Sequence, residues 1–134
     1  MDPTTSESHL AVAERLTAGF ASHDLAAFES LYADDIVVWH SHNQLAQTKA
    51  QNIQRLSAFF RDFANLRYEH IARIPTPAGF VQQHVIVGDC PLAGRLEMAV
   101  CAVVSLRNDR ILRLDEYFDP TPIFSLLSAR SAST

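Results

Sequence analysis

Glu116 is the side chain of this 134-residue chain that most needs a chemical explanation. In "ILRLDEYF" (111–118), strand alternation sets Leu112, Leu114, Glu116 and Phe118 on one face and Ile111, Arg113, Asp115 and Tyr117 on the other. The first set reads as the core face, with Glu116 its single charge. An unpaired carboxylate among apolar groups costs several kcal/mol or takes up a proton. Glu116 therefore requires a partner, a water-filled pocket or a proton, and perturbed acids of this kind mark functional sites as well as structural ion pairs.

Histidines supply the other candidates. "VVWHSHN" (37–43) is rich in strand formers, and His40 and His42 follow two apart, which in an extended chain sends both rings to one side. In "FVQQHVIV" (80–87), Phe80, Gln82, His84 and Ile86 share one side and Val81, Gln83, Val85 and Val87 the other. The polar pair Gln82–His84 between apolar residues suits a cavity lining, yet pattern alone does not choose the face. In "LRYEHIARI" (66–74) the face with Leu66, Tyr68, His70, Ala72 and Ile74 reads as buried, because Arg67, Glu69 and Arg73 occupy the other. Each of these polar groups could equally be a core side chain with a satisfied partner. His9 and His23, at helix ends, read as solvated.

These residues must be positioned by helices followed by a meander of strands. "TTSE" forms a capping box on Thr4 and Glu7, and Leu10, Ala13, Leu16 and Phe20 recur at helical spacing to about Ser22. Asp24 reads as a second N-cap ahead of Phe28, Leu31 and Tyr32. Ile53, Leu56, Phe60 and Phe63 mark a third helix over about 48–64. Strands at 66–74, 80–87, 95–106 and 111–118 are separated by "PTPAG", "GDCPLAG" and Asn108–Asp109. "PTPIFSLL" predicts a short terminal helix, and residues 1–5 and 129–134 are expected to be flexible. Helices first and antiparallel strands after give an α+β class, with a single domain spanning 1–134 and its core at about 9–128.

Composition limits the function. With 48% hydrophobic and 19% charged residues the chain is globular. A net charge of −4 lacks the basic excess that nucleic-acid binding needs. The longest apolar run, Met98–Leu106, is too short for a membrane helix, and the N-terminus has no signal-peptide pattern. Cys90 and Cys101 stand outside any metal or redox motif, so free thiols in a cytoplasmic protein are expected.

"LYADDIVVWH" after two helices, the helix "KAQNIQRLSAFFRDF" and the ending "RILRLDEYFD" together resemble the nuclear transport factor 2-like superfamily, and within it the SnoaL-like and ketosteroid-isomerase-like proteins. The resemblance covers about 9–128. It implies a cone-shaped, strongly curved and mostly antiparallel mixed sheet wrapped around N-terminal helices, with an internal pocket. His40, His84, Gln82 and Glu116 would then share the pocket wall. Glu116 matches the final-strand carboxylate that activates water in limonene-epoxide-hydrolase-like enzymes, but their arginine–acid pair falls at Gln82 and His84. The ketosteroid isomerase base falls near His40, and Met98 and Val100 offer no acid on the strand where those enzymes carry one. Two pocket histidines resemble scytalone dehydratase, and SnoaL-like cyclases use a single pocket acid.

The expected function is a small cofactor-free enzyme performing acid/base chemistry (cyclisation, isomerisation, dehydration or hydrolysis) on an apolar oxygenated small molecule. Glu116 and His84 would form the acid/base pair with His40 as a third catalytic residue. Gln82, His42, Val38, Trp39, Phe60, Phe63, Tyr68, Ile86, Met98, Val100, Leu114 and Phe118 would bind substrate. The alternative is a non-catalytic binding protein with the same pocket. A metal site on His40, His42, His84 and Glu116 is a third class, and no metal is expected because these residues lack a tight ligand motif. The apolar outer sheet face, with Val81, Val85, Val87, Cys101 and Val103, predicts a homodimer.

Overall fold

A computed structural model describes residues 1–133, the side chain of Ser133 excepted. Among the described residues the order is α1 (Pro3–Ala21), α2 (Leu25–Leu31), β1 (Tyr32–His40), β2 (Leu45–Gln47), α3 (Lys49–Asp62), β3 (Ala64–Pro75), β4 (Gly79–Cys90), β5 (Gly94–Arg107), β6 (Arg110–Phe118) and α4 (Thr121–Ser133). The strands form one sheet in the order β2-β1-β6-β5-β4-β3. β1 runs parallel to β6 and every other neighbouring pair is antiparallel, so the sheet is mixed.

Local chemistry explains the helix starts. Asp2, not Thr4, caps α1: its carboxylate accepts the Thr4 N–H at 2.8 Å, and Pro3 sits at the first helical position, where its missing N–H costs nothing. The predicted box on Thr4 and Glu7 is thus two residues too late. Asp24 caps α2 through the Ala27 N–H, and Thr48 and Gln51 complete a capping box at α3. Tyr32, expected to end α2, instead opens β1. At the other end, residues expected to fray continue α4 as helix through Ser133.

The concave side of the sheet closes on α1 to α3. Val12, Leu16 and Phe20 from α1 share one apolar cluster with Phe28 of α2 and Leu66, Phe80, Val100 and Val104 of the sheet. Fully burying such side chains stabilises the fold by about 1.5–3 kcal/mol each. On β4, Phe80, Gln82, His84 and Ile86 point inward, which settles the face the pattern left open.

Bulges break the simple alternation elsewhere. In β3 the register passes from Glu69↔Val85 to Ala72↔Gln83, so the segment through His70 holds one extra residue, and His70 has φ 54°. Beyond it the faces exchange: Ile74, expected inside, is 63% exposed, and Arg73, expected outside, turns inward. Leu112 is the unpaired residue between Ser105↔Arg113 and Leu106↔Ile111. Ile111 is consequently the buried residue there, and Leu112 is half-buried. The outer face also differs from expectation, since Val87 is only 1% exposed, flanked in register by Arg67 and Glu97.

Candidate functional site

A cavity of about 340 Å³ lies between the concave sheet face and the helices, with Ile123, Phe124 and Leu127 of α4 at its rim. Its walls are mainly apolar: Phe59 from α3 and Phe63 just after it, Ile86 from β4, Met98 and Val100 from β5, and Leu114 from β6. Polar groups converge on it from β1, β3, β4 and β6. Arg130 of α4 forms an ion pair at 3.1 Å with Asp62 of α3, which itself lines the cavity.

On one side, His40 Nε2 lies 3.1 Å from Glu116 Oε1. Register dictates this partner. β1 and β6 are direct neighbours, and His40 pairs level with Glu116. The expected partner, His84, is on β4, two strands from β6; Gln82, Ala102 and Glu116 form one level across them, with His84 one level away opposite Val100 and Phe118. Two strand spacings separate their backbones by about 9–10 Å. Of His40, His84 and Gln82, which the sequence put on the same pocket wall as Glu116, it is His40 that the structure joins to the carboxylate. Both side chains are largely but not fully buried.

His42 lies in the turn after β1, because the strand ends at His40, two residues before it. Its ring still lines the cavity, 5.9 Å from His40 and 5.2 Å from Phe118. Desolvation, then the neighbouring His40 and Arg55, lower its pKa.

The other side of the cavity holds a chain of polar contacts that sequence did not reveal. Arg73 donates from Nη2 to Thr17 Oγ1 at 3.0 Å and from Nε to Gln82 Oε1 at 2.9 Å. Gln82 Nε2 is 3.0 Å from His84 Nδ1. The His84 ring stacks on Tyr68 with centroids 3.8 Å apart, and Tyr68 in turn stacks on Phe20 at 4.5 Å. His84 is 4% exposed, and burial lowers its pKa to about 4, with the Glu116 charge opposing and the Arg73 charge adding to the shift. Its Nε2 is buried and has no hydrogen-bond partner among the described residues. Such a group costs about 1–3 kcal/mol when left unmade. Burial and the Glu116 charge raise the Tyr68 phenol well above its ordinary range, so it keeps its proton.

Arg73 was missed because the bulge at His70 reverses the face of β3. Thr17 gave no signal because it sits on α1, far away in sequence. A second buried chain was equally silent: Tyr32 donates to Asn52 Oδ1 at 2.8 Å, and Asn52 donates to Gln47 Oε1 at 2.9 Å. Tyr32 and Asn52 also line the cavity. A run of separate polar residues on helix and strand carries no local pattern that would announce either chain.

Of the residues expected to bind substrate, Gln82, His42, Phe63, Tyr68, Ile86, Met98, Val100, Leu114 and Phe118 line the cavity. Three do not. Trp39 faces outward and meets Tyr117 at 5.4 Å, since it alternates with His40. Val38 is wholly buried on the inner face but lies outside the cavity lining. Phe60 packs among the helices, on His23 at 4.6 Å and Phe20 at 5.7 Å. His23 is thereby a packing residue, and His9 bonds the Thr76 carbonyl at 3.0 Å; neither is simply solvated. Among the described residues, no three His, Cys, Asp or Glu side chains are grouped as a metal-ion site.

The family model described as "SnoaL-like domain" matches residues 13–114. No curated protein matches the chain by sequence. Solved structures share the fold at low identity. PrhC from Penicillium brasilianum NBRC 6234 is 14% identical with a TM-score of 0.84, covering 96% of this chain and 91% of that one. BvnE pinacolase from Penicillium brevicompactum is 12% identical with a TM-score of 0.81, covering 96% and 97%. An LEH-like epoxide hydrolase of M. tuberculosis is 13% identical with a TM-score of 0.70, covering 96% and 92%.

Proposed function

The chain belongs to the SnoaL-like domain family, and from that premise we propose that its cavity binds an apolar oxygenated small molecule and moves a proton on it without a cofactor. The observation that carries this reading is the 3.1 Å contact of His40 with Glu116 in the wall of a mainly apolar cavity. Glu116 acts as the base. His40 holds one carboxylate oxygen and leaves the other for substrate, and the desolvated setting strengthens each polar contact made there. Met98, Val100, Leu114 and Phe63 hold the apolar body of the ligand.

The reaction class is cyclisation, isomerisation, dehydration or hydrolysis, and relatives of the same fold named as a pinacolase and an epoxide hydrolase support proton chemistry in such a cavity. The second reading, a binding protein with the same cavity, is favoured by one departure: Gln82 and His84 stand where the resemblance to limonene-epoxide-hydrolase-like enzymes would place an arginine and an acid. No helix among the described residues is long and apolar enough to cross a membrane. Free Cys90 and Cys101 support a cytoplasmic setting. Two copies pair through the outer sheet face around Val103, which is 41% exposed.

Native mass spectrometry of freshly purified protein would identify a retained small molecule. That ligand, incubated in deuterated water, should exchange or convert with the wild type. With Glu116→Gln the rate should fall by about 10²–10⁴-fold with the fold intact. A ligand that is retained but left unchanged by the wild type would establish the binding protein instead.

A further inference from the structure

Gln82 has two ends that cannot be told apart by shape, but Arg73 distinguishes them. A guanidinium only donates hydrogen bonds, so the atom 2.9 Å from Arg73 Nε must be the amide oxygen. The amide nitrogen is then the end 3.0 Å from His84 Nδ1, and it donates. Nδ1 must therefore be the bare nitrogen of the ring. In a neutral imidazole the proton then resides on Nε2. Arg73 is itself fixed from behind, through Thr17 Oγ1, whose hydroxyl donates to the Ala13 carbonyl at 3.0 Å.

We infer that the Thr17–Arg73–Gln82–His84 chain is a tautomer lock, and that it presents His84 Nε2–H to the cavity as the hydrogen-bond donor for a neutral acceptor oxygen on the ligand. The inference rests on the reading above, that the cavity takes an oxygenated small molecule. His84 lines the cavity, its Nδ1 is committed to Gln82, and its buried Nε2 has no partner among the described residues. A buried N–H in that position discriminates strongly between a ligand that bears an acceptor and one that does not. The charged groups acting on the ring are Arg73 through Gln82 and Glu116 from across the sheet, and Tyr68 covers one face. Burial and Arg73 favour the neutral ring, which keeps Nδ1 bare through the physiological range. Glu116 and His84 thus have separate tasks: the carboxylate takes a proton, and the imidazole steadies the oxygen without giving one up. Gln82 and Arg73 are positioning residues.

The lock is read directly by ¹⁵N–¹H long-range correlation spectra of the apo wild type, with His84 assigned by its loss in His84→Phe. The expected result is a bare Nδ1 and a protonated Nε2, unchanged from pH 8 to pH 5. A protonated Nδ1, in either the other tautomer or the imidazolium, would overturn the lock. Gln82→Glu still accepts from Arg73 but cannot donate to the ring, so His84 Nδ1 should become protonated; a folded variant with Nδ1 still bare would also overturn it. For the ligand, 1-tetralone and tetralin are titrated as a matched pair differing in one acceptor oxygen. The wild type should prefer the ketone by at least about fivefold, and His84→Phe, which has no N–H to offer, should lose that preference. Equal binding of ketone and hydrocarbon by the wild type would overturn the acceptor-oxygen assignment. Binding of neither would sink the small-molecule reading and the ligand half of this inference together, while the spectra still decide the lock.

Discussion

Acidification should expose the cost of protonating His84. The ring is 4% exposed, and its pKa in the folded protein is about 4 against 6.5 when unperturbed. The unfolded chain therefore binds a proton that the folded chain refuses between these values. The stability tied to the neutral ring is complete above the unfolded pKa and is lost as pH falls toward the folded one. A gap of about 2.5 pKa units corresponds to roughly 3 kcal/mol, of which roughly 2 kcal/mol should be gone by pH 5. Because the ring is buried, solvent screening does not reduce this figure much. His42 is shifted in the same direction, so the wild-type curve alone would mix the two. His84→Phe separates them: it retains a ring against Tyr68 but has no proton to bind. Urea unfolding of both proteins at pH 7, 6, 5 and 4.5, followed by circular dichroism, should show the wild type losing stability faster than the variant. The variant will be less stable at pH 7, since Gln82 Nε2 then lacks its acceptor. Its shallower slope is the test. Parallel curves, or a wild type that holds its stability better than the variant on acidification, would refute a neutral buried His84.

Two further outcomes follow from the packing of the sheet. A Cβ on Gly79 would lie 2.1 Å from the Val104 carbonyl oxygen across the β4–β5 pair, and backbone cannot yield as a side chain does. Gly79→Ala should therefore cost more than about 3 kcal/mol in urea unfolding, and a loss under about 1 kcal/mol would show that the strands separate easily there. Val103→Glu should convert a dimer to monomer or insoluble protein, as seen by size-exclusion chromatography with light scattering, because a charge would be buried in an apolar contact. An unchanged dimer would place the contact on another surface.

Much of the fold was legible in the sequence because it rests on local chemistry. Asp24 caps a helix by accepting from an N–H three residues away, and the β4, β5 and β6 runs alternate strongly enough to be read as strands. The oddity of Glu116 was legible too, since a charge between Leu114 and Phe118 on one strand face needs no tertiary information. Its partner did not have that advantage. His40 meets Glu116 because β1 lies parallel beside β6, a pairing between segments 76 residues apart that no local pattern encodes. Short β2 escaped notice because three residues carry no period. Arg73 shows the limit most sharply. Alternation put it outside, and a single extra residue at His70 turned it in to grip Gln82 and, through it, His84. The sequence by itself determined which residues are apolar, which can cap and which can carry a proton, because those are properties of side chains and their near neighbours. Only the tertiary structure decided which proton carriers meet, because strand order and bulges set distances between parts of the chain that have no local interaction through which to choose one another.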